Sequence, residues 1–390
     1  MSKTIAYFIP SAHLAGTTTQ AFAFCSSMLA LGYDVQLVVA TKRGEFLDVT
    51  EDPPYRTVYL HKAKYCAAIF TVFYLTCYLI KEKPVIFIAG AKRSNMLAII
   101  AHSLSLRMSR LILILTNDLR QCKGSAKRPR NVSTALHLFM YRSAHHIVVL
   151  TTAMREVFLK ANYSSKGVTV IPPPLNLPQI NLKSFEASNH PWLKEPKAQR
   201  DTAIILAVGR IAPQKNYRNL IKALAVVNKT QDVKLIILGT GKAKFTQSIK
   251  DLVRKSALDD IVDFAQFSAN PYSFMREVDA LALSSHWEGF GIVLTEALAC
   301  GLTTASVDCP HGPREILGGG TFGYLAAPND PGALARAILS SINSPINPNI
   351  LKLKAAEYSA KVIASKYQSL IDEMWQAEIK SQIKGELESV

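Results

Sequence analysis

The sequence predicts an α/β protein built from two doubly wound halves, and three observations carry that prediction. At 390 residues the chain is longer than one hydrophobic core comfortably organises, which favours two domains. Short apolar, β-branched runs alternate with helical patterns, the rhythm of parallel strands joined by crossover helices. That rhythm breaks at one proline-rich stretch and then restarts.

In the first half, the runs at 5–9, 35–40, 85–89, 111–116 and 147–150 are apolar almost throughout, interrupted only by Gln36 and Thr116. Such runs suit a parallel sheet covered on both faces. The opening MSKTIAYFIPS has one lysine and a short apolar run, and reads as a first strand rather than a secretion signal. QAFAFCSSMLALG, between the first two runs, ends at Gly32, a natural helix stop. YCAAIFTVFYLTCYLI, residues 65–80, is the most membrane-like segment and lies between Lys64 and Lys81. It falls short of the roughly 20 residues a spanning helix needs. Two readings stay open for it: a buried core helix, or a helix with one face in a membrane interface.

The break is IPPPLNLPQINLKSFEASNHPWLKEPKAQRD, with prolines at 172–174, 178, 191 and 196. It is expected to make residues 176–200 a linker between a first domain, 1–175, and a second, 201–365. Runs at 204–208, 234–238, 262–264, 280–283 and 303–307 then resume the pattern, and Leu220, Ile221, Leu224 and Val227 share one helix face. In the last segment, 366–390, Tyr367, Leu370, Ile371, Met374 and Trp375 recur at helical spacing, an amphipathic helix that needs a partner surface.

Composition narrows the function. Apolar content of 49% with 19% charge describes a foldable chain. A net charge of +16 points to an anionic partner: a phosphorylated substrate, an anionic membrane or nucleic acid. The six cysteines, at 25, 66, 77, 122, 300 and 309, form no CxxC pair and do not cluster with histidine. That spacing argues against a zinc site and suits a reducing cytoplasm.

Ligands of doubly wound sheets bind beyond the carboxyl ends of strands. AVGRIAPQKN places Gly209, Arg210 and Lys215 there, either as a diphosphate clamp or as a solvated loop. LGTGK, with Gly239 and Gly241, lacks the third glycine of a dinucleotide fingerprint and the spacing of a P-loop. It is either a tight turn or a close backbone approach. HWEGFGIVLTEALACG is richer, because a helix starting near Ile292 would aim its positive end at Gly289, Phe290 and Gly291, a phosphate-binding arrangement. Glu288 precedes that helix and Glu296 lies inside it, about 80° apart even on an ideal helix, so they do not form a proton-sharing dyad. Sugar and ribose hydroxyls are their better targets. DCPHGPREIL, with His311 and Arg314, adds a rigid turn.

VGRIAPQKNYRNLIKAL, LIILGTGK, EGFGIVLTE followed by ALACG, and DCPHGPREIL together resemble the retaining nucleotide-sugar glycosyltransferases of the GT-B fold, family four, also called group 1. The DCP-GP-EIL form is similar to members that assemble bacterial surface glycans and lipid-linked oligosaccharides. The resemblance implies two domains facing a central cleft, with the C-terminal helix crossing back to the first. It implies that Arg210 and Lys215 hold the diphosphate of a UDP-sugar, that Glu296 binds ribose, and that Glu288 binds the transferred sugar. The backbone around Phe290, Gly291, Ile292 and Val293, with Gly209 and Gly239, would line the donor. No metal or cofactor is implied.

The first domain departs from the family pattern. Only Gly16 stands where a glycine pair is common at the donor, and Asn117 stands where histidine often precedes Asp118. Asn117 could hydrogen-bond near the reacting centre, beside Glu288, Lys215 and Arg210, but could not titrate. His13 and His102 nearby read as structural. Between Lys92 and Arg130 nine basic residues face only Asp118. That block is either a solvated face or a surface for anionic lipid. Lys123, Lys127, Arg128 and Arg130 form its densest part and are candidates to touch an acceptor or headgroups. Aromatic residues do not interleave it, which disfavours nucleic acid. The expectation is a cytoplasmic enzyme, peripheral on the inner membrane face, acting on a polyprenyl-diphosphate-linked glycan. A sugar-nucleotide epimerase or phosphorylase on the same fold, and a non-catalytic glycan- or membrane-binding scaffold, are the alternatives.

Overall fold

The computed structural model describes residues 4–11, 16–41, 53–61, 68–116, 139–160 and 167–387, with the backbone alone for 16, 17, 19 and 377–387. Two compact units emerge, one of residues 1–174 with 360–390, the other of Leu175–Ser359.

The first unit is a parallel sheet of seven described strands in the order β3-β2-β1-β4-β5-β6-β7. These are β1 (Thr4–Ser11), β2 (Asp34–Thr41), β3 (Arg56–His61), β4 (Ile86–Gly90), β5 (Arg110–Leu115), β6 (His146–Val149) and β7 (Val168–Val170). The central strands are buried along nearly their whole length, as the continuous apolar runs require. Helix α1 (Gly16–Ala30) ends before Gly32, whose φ of 83° suits glycine at a helix stop. It packs with the terminal helix Ala360–Leu387. Helices α2 (Ala68–Glu82) and α3 (Lys92–Leu104) pack on each other. The first crossover moves toward one sheet edge and the later ones toward the other, so right-handedness puts the two pairs on opposite faces.

The terminal helix meets its expected need for a partner inside this unit. Tyr367, Leu370 and Ile371 are buried, and the Tyr367 ring stands edge-on to Phe24 of α1 at 4.8 Å. It begins at Ala360, six residues before the expected boundary.

The second unit is a parallel sheet in the order β10-β9-β8-β11-β12-β13. Its strands are β8 (Ala203–Val208), β9 (Val233–Leu238), β10 (Val262–Phe264), β11 (Ala280–Leu283), β12 (Thr304–Val307) and β13 (Tyr324–Ala326). Leu220, Ile221, Leu224 and Val227 are fully buried in its core.

The expected linker is a correction. Residues 176–200 fold into the second unit. Asn176 accepts from the Gln179 amide to cap a helix, Leu177–Ser184, which packs on Pro271–Glu277. Asn270 Nδ2 donates to the Lys183 carbonyl at 2.8 Å, and His190 Nε2 lies 2.9 Å from Asp263 Oδ2. Proline at the first turns starts these short helices instead of breaking them.

Candidate functional site

The order of the second sheet reverses between β8 and β11, and the crevice beyond such a switch point is where open α/β sheets take ligands. The loops after those two strands are 209–216 and 284–291, the richest motifs of the sequence. They are laced together. His286 donates its amide to the Gln214 carbonyl at 2.8 Å, Gln214 Nε2 to the Trp287 carbonyl at 3.0 Å, and Ser284 Oγ to the Lys215 carbonyl at 2.7 Å.

This lacing sets Lys215 against Glu288. Lys215 Nζ donates to Glu288 Oε1 at 2.7 Å, and Ser285 Oγ donates to the same oxygen at 2.5 Å. Glu288 is buried and Lys215 nearly so. An ammonium has three donors, so two remain on Lys215 for anionic oxygens. Arg210, five residues earlier, is exposed and makes no ion pair among the described residues. Glycine is required beneath them. A Cβ at Gly209, where φ is 145°, would meet Lys215 Cε at 2.8 Å. One at Gly239 would lie 2.1 Å from the Gly209 carbonyl oxygen. Gly239 thus serves the close-approach reading of LGTGK: it lets the loop after β9 lie on the loop after β8, where Ile211 bridges to Gly241.

The helix Ile292–Ala299 starts where expected, capped by Gly291 with φ of 99°. The Leu294 amide is taken by the Gly291 carbonyl at 2.8 Å, while Ile292 and Val293, the first two positions, have no acceptor within the helix. The Phe290 ring is buried against Tyr358, so only its backbone is available to line the crevice. Gly312 lets the next loop approach: a Cβ there would fall 1.5 Å from the Phe290 carbonyl oxygen. Arg314 in that loop is spent on Asp308.

Glu296 lies one turn into this helix and accepts from Tyr272 Oη at 3.0 Å. Burial pushes its carboxyl above the ordinary glutamate range, while the Tyr272 hydroxyl and the Lys215 charge pull the other way. Lys215 therefore acts on both carboxylates. Tyr272 was not singled out by the sequence. Asn270-Pro271 announces a helix start after β10, at the ligand-bearing edge of the sheet, and that was the available signal. Burial also drives the thiol of Cys309 up, beside Glu288 and Lys215, and that of Cys300 to about 12, which leaves both as packing groups.

Of the first-unit candidates, Gly16 opens α1 and His102 is fully buried, its Nε2 2.7 Å from the Ser109 carbonyl. Asn117, Lys123, Lys127, Arg128, Arg130 and His13 lie outside the described residues.

The fold of two such units is GT-B. The structure of the Anabaena protein HepE in complex with UDP and glucose matches it with a TM-score of 0.76, at 16% identity, over 95% of this chain and 100% of that one. Residues 190–361 match the family described as Glycosyl transferases group 1. An uncharacterized glycosyltransferase of Methanocaldococcus jannaschii is 33% identical over 181 residues, 46% of this chain and 43% of its own length. The Campylobacter jejuni N-acetylgalactosamine-N,N'-diacetylbacillosaminyl-diphospho-undecaprenol 4-alpha-N-acetylgalactosaminyltransferase is 39% identical over 133 residues, 33% and 35% of the two chains. The chain thus spans less than half the length of these curated relatives. The second unit is therefore similar to the group 1 glycosyltransferases over residues 190–361.

Proposed function

We propose that the chain is a retaining, metal-independent glycosyltransferase. It moves a hexose or N-acetylhexosamine from a UDP-sugar to a hydroxyl of a polyprenyl-diphosphate-linked glycan, at the inner face of the cell membrane. The observation that carries this reading is Lys215, held 2.7 Å from Glu288 at the switch point, beside the free first amides of the helix Ile292–Ala299. The UDP and glucose named for HepE and the diphospho-undecaprenol named for the Campylobacter relative support the substrate classes.

In the transfer, the bond from the anomeric carbon to the diphosphate breaks and one to the acceptor oxygen forms on the same face. The acceptor proton passes to the departing phosphate oxygen. Charge grows on that phosphate, and Lys215, Arg210 and the amides of Ile292 and Val293 stabilise it. Glu288 holds hydroxyls of the sugar and Glu296 those of the ribose. Two protein cations stand in for a divalent ion, so turnover should survive a chelator.

The test is a melting shift with UDP, GDP, ADP and NAD on the wild type and Lys215→Ala. A ligand at 100 times its dissociation constant adds about 2.7 kcal/mol to the folded state. A UDP-selective shift lost in the variant is expected. A shift with GDP alone would overturn the donor, and no nucleotide shift would favour the non-catalytic scaffold.

A further inference from the structure

Helix α2 is apolar on both of its sides. Thr71, Leu75, Tyr78 and Leu79 face inward and are buried, with Tyr78 Oη donating to Gln36 Oε1 at 2.7 Å. The opposite side exposes Ile69 by 73%, Phe70 by 56%, Phe73 by 60%, Tyr74 by 42% and Ile80 by 45%. Phe73 and Tyr74 pack edge to face at 5.5 Å. A helix whose outer side meets only water carries charge there. Single exposed apolar residues are ordinary, whereas a contiguous row marks a contact surface. Leu104, Leu106 and Met108, on and just past the neighbouring α3, extend the exposed apolar area.

The rim of this surface is cationic. Lys81 and Lys83 are exposed at the end of α2, and Lys92 and Arg93 at the start of α3. From 68 to 116 the chain carries six lysines and arginines against one acid, Glu82, which Arg56 already holds at 2.9 Å. A second copy of the chain docked here through a two-fold axis would oppose two cationic rims. An acidic protein would suit the rim but leave the large aromatic side chains unexplained. Aromatic and aliphatic groups ringed by ammonium groups match the boundary between headgroups and acyl chains. No described helix is long and apolar enough to cross a membrane.

We propose that the outer face of α2 docks the first unit on an anionic phospholipid bilayer. Both α2 and α3 follow strands of a parallel sheet, so both start at its carboxyl edge, where such sheets take ligands. Docking through Ile69–Tyr74 therefore brings that edge, with Lys92 and Arg93, to the headgroups. The inference rests on the lipid-linked acceptor proposed above and names the surface that meets the lipid.

The experiment is co-sedimentation of the 390-residue chain with vesicles of phosphatidylglycerol and phosphatidylcholine, or of phosphatidylcholine alone, at low and high salt. Phe70→Ser/Phe73→Ser is compared with Leu353→Ser, an even more exposed apolar position in the second unit. The wild type should sediment with the anionic vesicles and less with neutral ones or in high salt. The double variant should partition about tenfold more weakly, with Leu353→Ser unchanged. A wild type that stays in the supernatant, or a double variant that sediments equally well, overturns the proposal. The UDP melting shift is read on the same samples. Its absence from a chain that still sediments would sink the donor reading and leave the docking surface standing.

Discussion

At the scale of residues, the site is costly to the empty protein. Burial raises the Glu296 carboxyl above its ordinary range, and Tyr272 and Lys215 oppose this without cancelling it. An acid that holds its proton more tightly when folded loses stability as pH climbs from its unfolded value through the raised one. Glu296→Gln should therefore melt higher than the wild type at about pH 8, with the gap closing toward about pH 4.5. The same variant should lose the UDP shift, because an amide accepts fewer ribose hydroxyls. Melting curves with and without UDP check both, and a variant less stable than the wild type at the higher pH would contradict the burial argument. Tyr272→Phe keeps the ring and removes the donor that orients Glu296. It should weaken UDP binding by about 1–2 kcal/mol, read by calorimetric titration. Lys215→Ala should cut turnover by orders of magnitude, about 10² or more. Near-normal turnover would refute the clamp. Lys215 and Glu288 were legible as candidates because a loop at a strand end with a cation or carboxylate has few uses, and Glu296 because it stands in the helix that follows such a loop. Tyr272 was not, since its meaning comes from a contact 24 positions away that only the sheet order creates.

At the scale of elements, legibility follows burial. Continuous apolar runs announced the central strands, while β3, β7 and β13, all at sheet edges, went unseen. Each is half-solvated, and RTVYLH, VTV and YLA carry no sustained apolar signal. The α2 segment was ambiguous for the converse reason: it is apolar on both sides, and one side stays exposed. The glycine turns were readable as turns but not as a stack. Gly239 lies where a Cβ would strike the Gly209 carbonyl oxygen at 2.1 Å, and its φ is 151°. Neither backbone can yield without moving β8 or β9. Gly239→Ala should therefore cost about 2–4 kcal/mol in urea unfolding and displace the clamp loop, with UDP affinity falling alongside. Wild-type UDP binding in that variant would mean that the two loops do not need each other.

At the scale of the whole molecule, the two units carry different burdens of charge. The UDP site proposed above lies in the second unit, at Lys215 and Glu296. The first unit holds a fully buried imidazole, His102, and a half-buried one, His146 on β6. His102 has Nε2 2.7 Å from the Ser109 carbonyl, which can only accept, so that nitrogen carries the proton of the neutral ring. His146 Nε2 lies 2.9 Å from Thr169 Oγ1. Burial lowers the pKa of both, against the pull of the Ser109 bond in one case and the Glu373 charge in the other. Where a base has a depressed folded pKa, the unfolded chain takes up the proton first as pH falls. The stabilising effect of such a base is complete above about pH 6.5 and is lost through the lowered folded values. Acidification from about pH 8 to about 5.5 should thus open β5 and β6 before β8 and β9, whose unit buries no such pair near its central strands. Hydrogen exchange, corrected for intrinsic rates, reads this directly as protection lost at 110–115 and 146–149 while 203–208 and 233–238 hold. Equal loss in the two units would show that the buried imidazoles do not set the acid limit. Earlier loss in the second would contradict the Glu296 argument as well, because acidification relieves that buried carboxyl.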